Sequence, residues 1–399
     1  MNDTATGFAD KPRVRPADAR FSSGPCRKHP GWNLSSLNTE HLGRSHRAAQ
    51  PKASLKSAID RSAALLNLPE NWKLGIVPAS DTGAFEMAMW SLLGTRAVDA
   101  MVWESFSADW AKDLGTLGLP GLNVHEAQYG KLPSLTAASP QNDIVFVFNG
   151  TTSGVRVPDL DWIADDREGL VLCDATSAAY AMPIDYNKVD VLTWSWQKAL
   201  GGEAAHGMLA LSPRAVERLE TAPASRALPK IFTLTKKNEL ISGIFSGATI
   251  NTPSMLAVAD LHSALDWADA VGGLSGLHKR SAANFTAMDK WVSTSEWIDW
   301  LAVDANTRSN TSMCLQITAD IFQSLDMDAQ QAAVKTMVGW LAEEGVAFDI
   351  ANYRSAPPGF RVWGGATVDA TDIEALTLWL DWAFDRLKST VLTAEVHNV

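Results

Sequence analysis

The stretch VDVLTWSWQKALGG, residues 189–202, decides how the chain is read. Its first half is mostly apolar, β-branched or aromatic, as in a strand buried on both faces of a parallel sheet. A Gly-Gly pair closes it, and between strand and turn stands one lysine, Lys198. An ammonium group is strongly hydrated, and placing it in an apolar pocket is costly unless it is paired, neutralised or covalently bonded. In open α/β sheets ligands sit beyond the carboxyl ends of the strands, so Lys198 stands where chemistry collects.

Similar runs lie on either side: LGIVPA (74–79), DAMVW (99–103), LNVHEA (122–127), DIVFVFNG (143–150), GLVLCDAT (169–176) and HGMLALS (206–212). Helical stretches separate several of them, namely PKASLKSAIDRSAALLNLP (51–69), stopped by Pro69, then GAFEMAMWSLLG (83–94) and SADWAKDLGTLG (107–118). Strands apolar on both faces that alternate with helices predict an α/β fold with a mostly parallel seven-stranded sheet flanked by helices. We assign this large domain to residues 51–275. Beyond it the texture changes. Amphipathic helices AVKTMVGWLAEEG (333–345) and TDIEALTLWLDWAFDRLKS (371–389), the second opened by a capping pair Thr371 and Glu374, bracket short strands MCLQITA (313–319) and GFRVWGG (359–365). This predicts a smaller C-terminal α+β domain over 276–399.

Residues 1–50, rich in Pro, Arg, Ser and Gly, read as an extended arm. Nine lysines and arginines fall between Lys11 and Lys52, against two acids, Asp18 and Glu40. Such an arm either meets a small anion or is simply a solvated basic segment. The whole chain is acidic, with a formal net charge of -11, which argues against a nucleic-acid binder. Three widely spaced cysteines without a CxxC pair suggest a reducing compartment, with neither a disulfide framework nor a metal site. No apolar run is long enough for a membrane span and the first twenty residues lack a signal-peptide centre, so we expect a cytoplasmic protein. The sixteen tryptophans, spread from Trp32 to Trp382, read as core.

Polar or glycine-rich groups follow five of the strands: ASDTGAF (79–85), ESFSADW (104–110), NGTTSG (149–154), DATS (174–177) and SWQKALGG (195–202). ASDTG opens a helix and offers backbone N–H groups to an anion such as a phosphate, although Ser, Asp and Thr there also serve as N-caps. Asp174 can pair with a cationic ring nitrogen or cap a turn. Lys198, 24 residues later, can bind an aldehyde or pack its stem while its amine reaches water. Taken together, a lysine, an acid and a helix N-terminus are the set that pyridoxal phosphate needs.

On these residues the chain resembles a known family, the phosphoserine aminotransferases of the fold-type I, class V pyridoxal-phosphate-dependent transferases. The resemblance runs through FSSGPCRKHPGW (21–32), GRSHRA (43–48), QK (197–198), NTPSM (251–255), YRS (353–355) and GFRV (359–362). It implies that Lys198 bonds the cofactor and later moves the substrate's α-proton, while Asp174 holds the ring nitrogen protonated. It further implies that Phe106 stacks on the ring, Thr151 contacts the ring oxygen, and Gln197, Asp81 and Thr82 lie at the phosphate. Asn251 and Thr252 match a pair reaching that phosphate from the neighbouring subunit, which implies a homodimer. Arg361 matches the arginine that forks the α-carboxylate. His46, Arg47 and Arg354 match the cluster that meets the substrate's second anionic group across the dimer. The implied reaction moves an amino group between L-glutamate and 3-phosphohydroxypyruvate, giving O-phospho-L-serine and 2-oxoglutarate in serine biosynthesis. A phosphohydroxythreonine-type substrate of pyridoxine biosynthesis is a further candidate.

Two departures stand out. Tyr353 occupies a position that is histidine in much of the family, and residues 79–83 lack the commoner Gly-rich phosphate loop. Other readings use the same residues. A different class V aminotransferase, using alanine or serine with glyoxylate or pyruvate, shares Lys198 and Asp174 but needs no second cationic pocket. A lyase or desulfurase wants a cysteine on a mobile loop, and a non-catalytic ligand-binding protein keeps the fold alone.

Overall fold

The computed structural model describes residues 10–396, with side chains to residue 390. The first nine residues of the arm and the last three of the C-terminal region lie outside the described residues. After the arm comes helix α1 (Ala49–Leu66), whose Leu55, Ala58, Ile59, Leu65 and Leu66 recur at helical spacing and are buried. The helix stops before Pro69, because Asn67 takes the left-handed conformation (φ 53°) and its N–H closes on the carbonyls of Ala63 and Ala64.

Strand β1 (Lys73–Pro78), helix α2 (Ser80–Leu92), β2 (Val98–Val102), α3 (Ser105–Leu114), β3 (Leu122–Glu126) and β4 (Asp143–Val147) follow. A short hairpin, β5 (Asn149–Gly150) with β6 (Val155–Arg156), precedes β7 (Val171–Asp174), β8 (Val191–Ser195), β9 (His206–Leu211) and α4 (Pro213–Thr221). The sheet order is β1-β9-β8-β7-β4-β2-β3. Only β9 runs antiparallel to its neighbours, as the expected mostly parallel seven-stranded sheet requires. β2, β4, β7, β8 and β9 are buried along their whole lengths, which accounts for their apolar sequences. β3 departs from the expectation. It is the edge strand, Asn123, Val124 and Glu126 are exposed, and its alternation of polar and apolar residues belongs to a half-covered edge.

Helix α2 lies tight on the sheet. A Cβ at Gly207 of β9 would fall 2.2 Å from the Ser80 carbonyl, so only glycine lets the start of α2 approach this closely. Ala79 and Ser80 both have positive φ, and no side chain caps the first turn. The N-cap reading of ASDTG is therefore not what the fold uses.

A second pair of short strands, β10 (Thr235–Lys236) and β11 (Glu239–Leu240), leads to α5 (Met255–Ala270) and α6 (Gly273–Val292). Then β12 (Ile298–Trp300), β13 (Ser312–Ile317) and β14 (Gly359–Trp363) form a three-stranded antiparallel sheet. Helices α7 (Asp320–Gln323), α8 (Met327–Glu343) and α9 (Ala370–Val396) complete this part. It has a core of its own, in which Trp297 stacks on Phe384 at 4.2 Å and Trp363 and Trp379 are fully buried. Thr371 lies inside α9 and is not its cap. Asp369 precedes the helix, and its carboxylate is engaged by Arg280 and Arg27.

The arm is not a free basic strip. Lys11 and Arg15 pair with Glu344, Arg20 with Asp18, Arg27 with Asp372 and Asp369, and Lys28 with Asp260 and Glu203. Phe21 enters the second core, and the Cys26 N–H donates to the Gln197 carbonyl at 2.8 Å. The arm thus runs directly beside Lys198.

Candidate active site

β8 delivers Lys198. Beyond Ser195 the chain turns sharply, with the Gly201 N–H on the Lys198 carbonyl (2.9 Å) and the Gly202 N–H on the Trp196 carbonyl (2.8 Å). Lys198 is only 7% exposed, and its Nζ donates to the Ser23 carbonyl of the arm and lies 5.7 Å from the centre of the Trp363 ring. Among the described residues it makes no ion pair. Burial pulls its pKa below the ordinary lysine range, and the positive charge of Arg361 adds to the effect. A Cβ at Gly24 would come within 2.7 Å of Nζ, so a side chain there would displace the end of Lys198.

Asp174 ends β7, next to β8 in the sheet, so topology sets the acid and the amine side by side. Its Oδ1 accepts from the Thr176 N–H (2.9 Å) and its Oδ2 from Trp110 Nε1 (3.1 Å). Asp174 and Lys198 open on one cavity of about 290 Å³, near the lower end of the range for small-molecule sites. Its wall also contains Asp81, Thr82, Phe106, Thr151 and Gln197. Seven of the residues singled out in the sequence thus share one space. Phe106 stands half-exposed at the mouth, 6.0 Å ring to ring from Tyr353, and the Thr151 hydroxyl donates to Ser177 Oγ at 2.9 Å.

Arg361, on β14, projects from the second sheet toward the same region, where its charge acts on Lys198, Cys26 and Cys314. Its Nε is buried without a partner, and it makes no ion pair among the described residues. Tyr353 lies against it at 5.7 Å. The other predicted residues are not on this wall. Arg354 is exposed beside a separate groove, Asn251 and Thr252 are exposed in the loop before α5, and Arg47 is exposed just ahead of α1. His46 is buried with Nε2 unpartnered. All three cysteines are buried and free, and burial holds the Cys26 and Cys314 thiols at about 12, which leaves no ready thiolate.

Sequence reasoning missed two residues that build the wall. Trp110 sits one helical turn after Phe106 on α3, and that spacing was the available signal. Glu104 caps α3, with Oε1 accepting from the Ser107 N–H (2.7 Å) and Oε2 from the Thr152 hydroxyl (2.8 Å), so one carboxylate joins the Phe106 helix to the Thr151 loop. Its pKa is raised to about 7 by burial, against the pull of those hydrogen bonds. The E-x-x-S spacing of a capping box was the available signal for it.

The donor set fits pyridoxal phosphate. Polar atoms on the cavity wall remain without partners among the described residues: Asp81 Oδ1, Asn149 Oδ1, Thr176 Oγ1 and Gln197 Oε1. Buried polar atoms are normally satisfied, and a bound polar group is the natural partner for such a cluster.

Comparison with known proteins places the chain in a family. No family model matches the sequence. A phosphoserine aminotransferase from Methanosarcina mazei is 52% identical over 379 residues, covering 95% of this chain and all of that protein. Among solved structures, a phosphoserine aminotransferase from Cytophaga hutchinsonii superposes with a TM-score of 0.77 at 20% identity, covering 91% of this chain and 98% of the other. A pyridoxal-phosphate-bound phosphoserine aminotransferase from Trichomonas vaginalis gives 0.72 at 17% identity, covering 91% and 99%. The distant structures establish the fold, and the Methanosarcina mazei relative, with half its residues shared from end to end, establishes the lineage: the chain belongs to the phosphoserine aminotransferase family.

Proposed function

We propose that the protein transfers an amino group between L-glutamate and 3-phosphohydroxypyruvate, with pyridoxal phosphate as cofactor. The observation that carries this reading is the buried, unpaired Lys198 sharing one cavity with Asp174. Bound pyridoxal phosphate supplies an electron sink that makes the α-proton of an amino acid removable. Lys198 would hold the cofactor through its aldehyde and, once released, its Nζ, with a pKa lowered by burial, would take and return the α-proton. Asp174, oriented by Trp110 and Thr176, meets the ring nitrogen. Phe106 covers the ring and Thr151 contacts its oxygen. Gln197 and the uncapped first turn of α2, at Asp81 and Thr82, receive the phosphate.

Arg361 receives the α-carboxylate shared by both substrates. His46, Arg47 and Arg354 meet the second anionic group in a homodimer, where Asn251 and Thr252 also reach the neighbouring cofactor. Arg47, Arg354, Asn251 and Thr252 are exposed on the single chain and, like the buried His46, stand off its cavity wall, as residues serving another subunit would. We divide the chain as an arm over 1–50, a cofactor-binding domain over 51–275 and a small domain over 276–399. The two hydrophobic cores support that division, with Phe21 and Cys26 of the arm lodged in the second. Among the described residues no helix is long and apolar enough to cross a membrane.

Two experiments test this reading. With glutamate as donor, 3-phosphohydroxypyruvate is expected to exceed pyruvate and glyoxylate in kcat/KM by about 100-fold or more, the worth of about two charge-assisted hydrogen bonds. Equal rates on the unphosphorylated acids would favour the alternative class V reaction, and the phosphohydroxythreonine-type substrate belongs in the same panel. Separately, Arg47→Ala is expected to lower kcat/KM for 3-phosphohydroxypyruvate about 100-fold. Refolding that variant together with Lys198→Ala should restore activity, because one site of a mixed dimer then has both groups intact. If mixing restores nothing, Arg47 does not serve a neighbouring subunit.

A further inference from the structure

Asn251 and Thr252 are exposed in the irregular loop that leads into α5. A loop that must meet a ligand gains affinity when it is held in place beforehand, because ordering it on binding costs free energy. Ser254 closes this loop and caps α5, its Oγ accepting from the Ala257 N–H at 3.2 Å. The backbone N–H of a cap residue has no partner in its own helix. Here it donates to Nε2 of His206, 3.1 Å away. His206 opens β9, is 3% exposed, and packs its ring 4.7 Å from that of Trp196. An N–H can only donate, so Nε2 is the acceptor and the ring proton sits on Nδ1, which is buried without a partner among the described residues. Burial also pulls the His206 pKa down to about 4, so the acceptor persists at neutral pH. The imidazole is not on the cavity wall. Its one hydrogen bond goes to the loop.

We infer that His206 is a positioning residue whose Nε2, through the Ser254 N–H, fixes the Asn251–Thr252 loop for the cofactor phosphate of the neighbouring subunit. The inference rests on the proposed role of that pair. The connection is short and stiff. Pro253, buried between Thr252 and Ser254, has its own φ locked and keeps Thr252 out of the helical region, so a fixed Ser254 nitrogen carries its placement two residues back. At the other end the Thr249 hydroxyl donates to the Asn251 carbonyl at 2.7 Å. His206 is itself well anchored, paired in register with Pro78 of β1 and followed by Gly207, which packs against the start of α2. The same strand end therefore supports the turn proposed to receive this subunit's phosphate and the loop proposed to reach the neighbour's.

Titration of the full-length, cofactor-free protein with pyridoxal phosphate, followed by absorbance, tests this. Gln sets its side-chain oxygen near the place of Nε2 and Asn near that of Nδ1, so both variants keep an amide and only His206→Gln keeps an acceptor for Ser254. His206→Gln is expected to bind within about twofold of the wild type and His206→Asn about tenfold more weakly, the loss of one hydrogen bond. Equal affinities for the two variants would overturn the inference. With Asn251→Ala and Thr252→Ala already present, adding His206→Asn should cost nothing more, and a further tenfold loss would show that His206 acts elsewhere. If Asn251→Ala with Thr252→Ala leaves affinity unchanged, the proposed role of the loop fails and the inference falls with it. If that pair weakens binding while His206→Asn does not, the inference alone fails. Hydrogen exchange of the unmodified protein gives a test without substitution: the Ser254 amide should exchange slowly, and rapid exchange would overturn the assignment.

Discussion

Lys198→Ala is expected to lower kcat by at least about four orders of magnitude, because one side chain supplies both the covalent link to the cofactor and the base for the α-proton. Single-turnover absorbance with glutamate should show no conversion, and retained transamination would reject the assignment. The fold is expected to survive, since the Lys198 amine is held by the Ser23 carbonyl and, among the described residues, by no ion pair. Stability should even rise. A lysine whose folded pKa is lowered binds fewer protons in the native than in the unfolded state, so its cost is fully present below the folded pKa and vanishes as pH climbs past the unfolded value near 10.4. Lys198→Met, which keeps the stem, should therefore melt above the cofactor-free wild type at neutral pH, with a gap that closes toward pH about 10. A gap that widens with pH would mean that the buried amine is stabilised as the cation.

Arg361→Leu is expected to lower kcat/KM for glutamate and for 3-phosphohydroxypyruvate alike, by about 100- to 1,000-fold, the usual cost of removing one partner of a desolvated ion pair. The guanidinium waits half-buried on β14, its Nε unsatisfied, with Tyr353 on one side and, among the described residues, no carboxylate to neutralise it. Those are the conditions in which a planar bidentate donor gains most from an incoming carboxylate, and in which Lys would be a poor substitute. Both substrates carry an α-carboxylate, so steady-state kinetics on each should fall together. Loss confined to one substrate would contradict a shared carboxylate site. Because Arg361 also helps depress the Lys198 pKa, the variant's pH–rate profile should shift upward on its acidic limb.

Much of this site was legible before any fold was known. Strand runs such as VLTWS and VLC are local signals, and the residues that follow them, Lys198 and Asp174, inherit their place from the rule that ligands gather at strand ends. Trp110 and Glu104 were harder to see. Each acts through a partner more than forty residues away, Asp174 for one and Thr152 for the other, and no periodicity reports such a pairing. The arm misled in a similar manner. Its basic residues looked free in a line of text, yet Lys11, Arg15, Arg27 and Lys28 find their carboxylates on distant helices and loops.

The chain order of apolar runs, turns and one misplaced amine was enough to determine the α/β class, the parallel sheet and the lysine–aspartate pair, because hydrophobic period and strand-end position are properties of neighbouring residues. Only the tertiary structure decided which charges are cancelled, that LNVHE forms the exposed edge, and that Asp81 and Asp174 line one cavity. Ionisation and pairing depend on burial and on groups far along the chain, and those are quantities that folding alone creates.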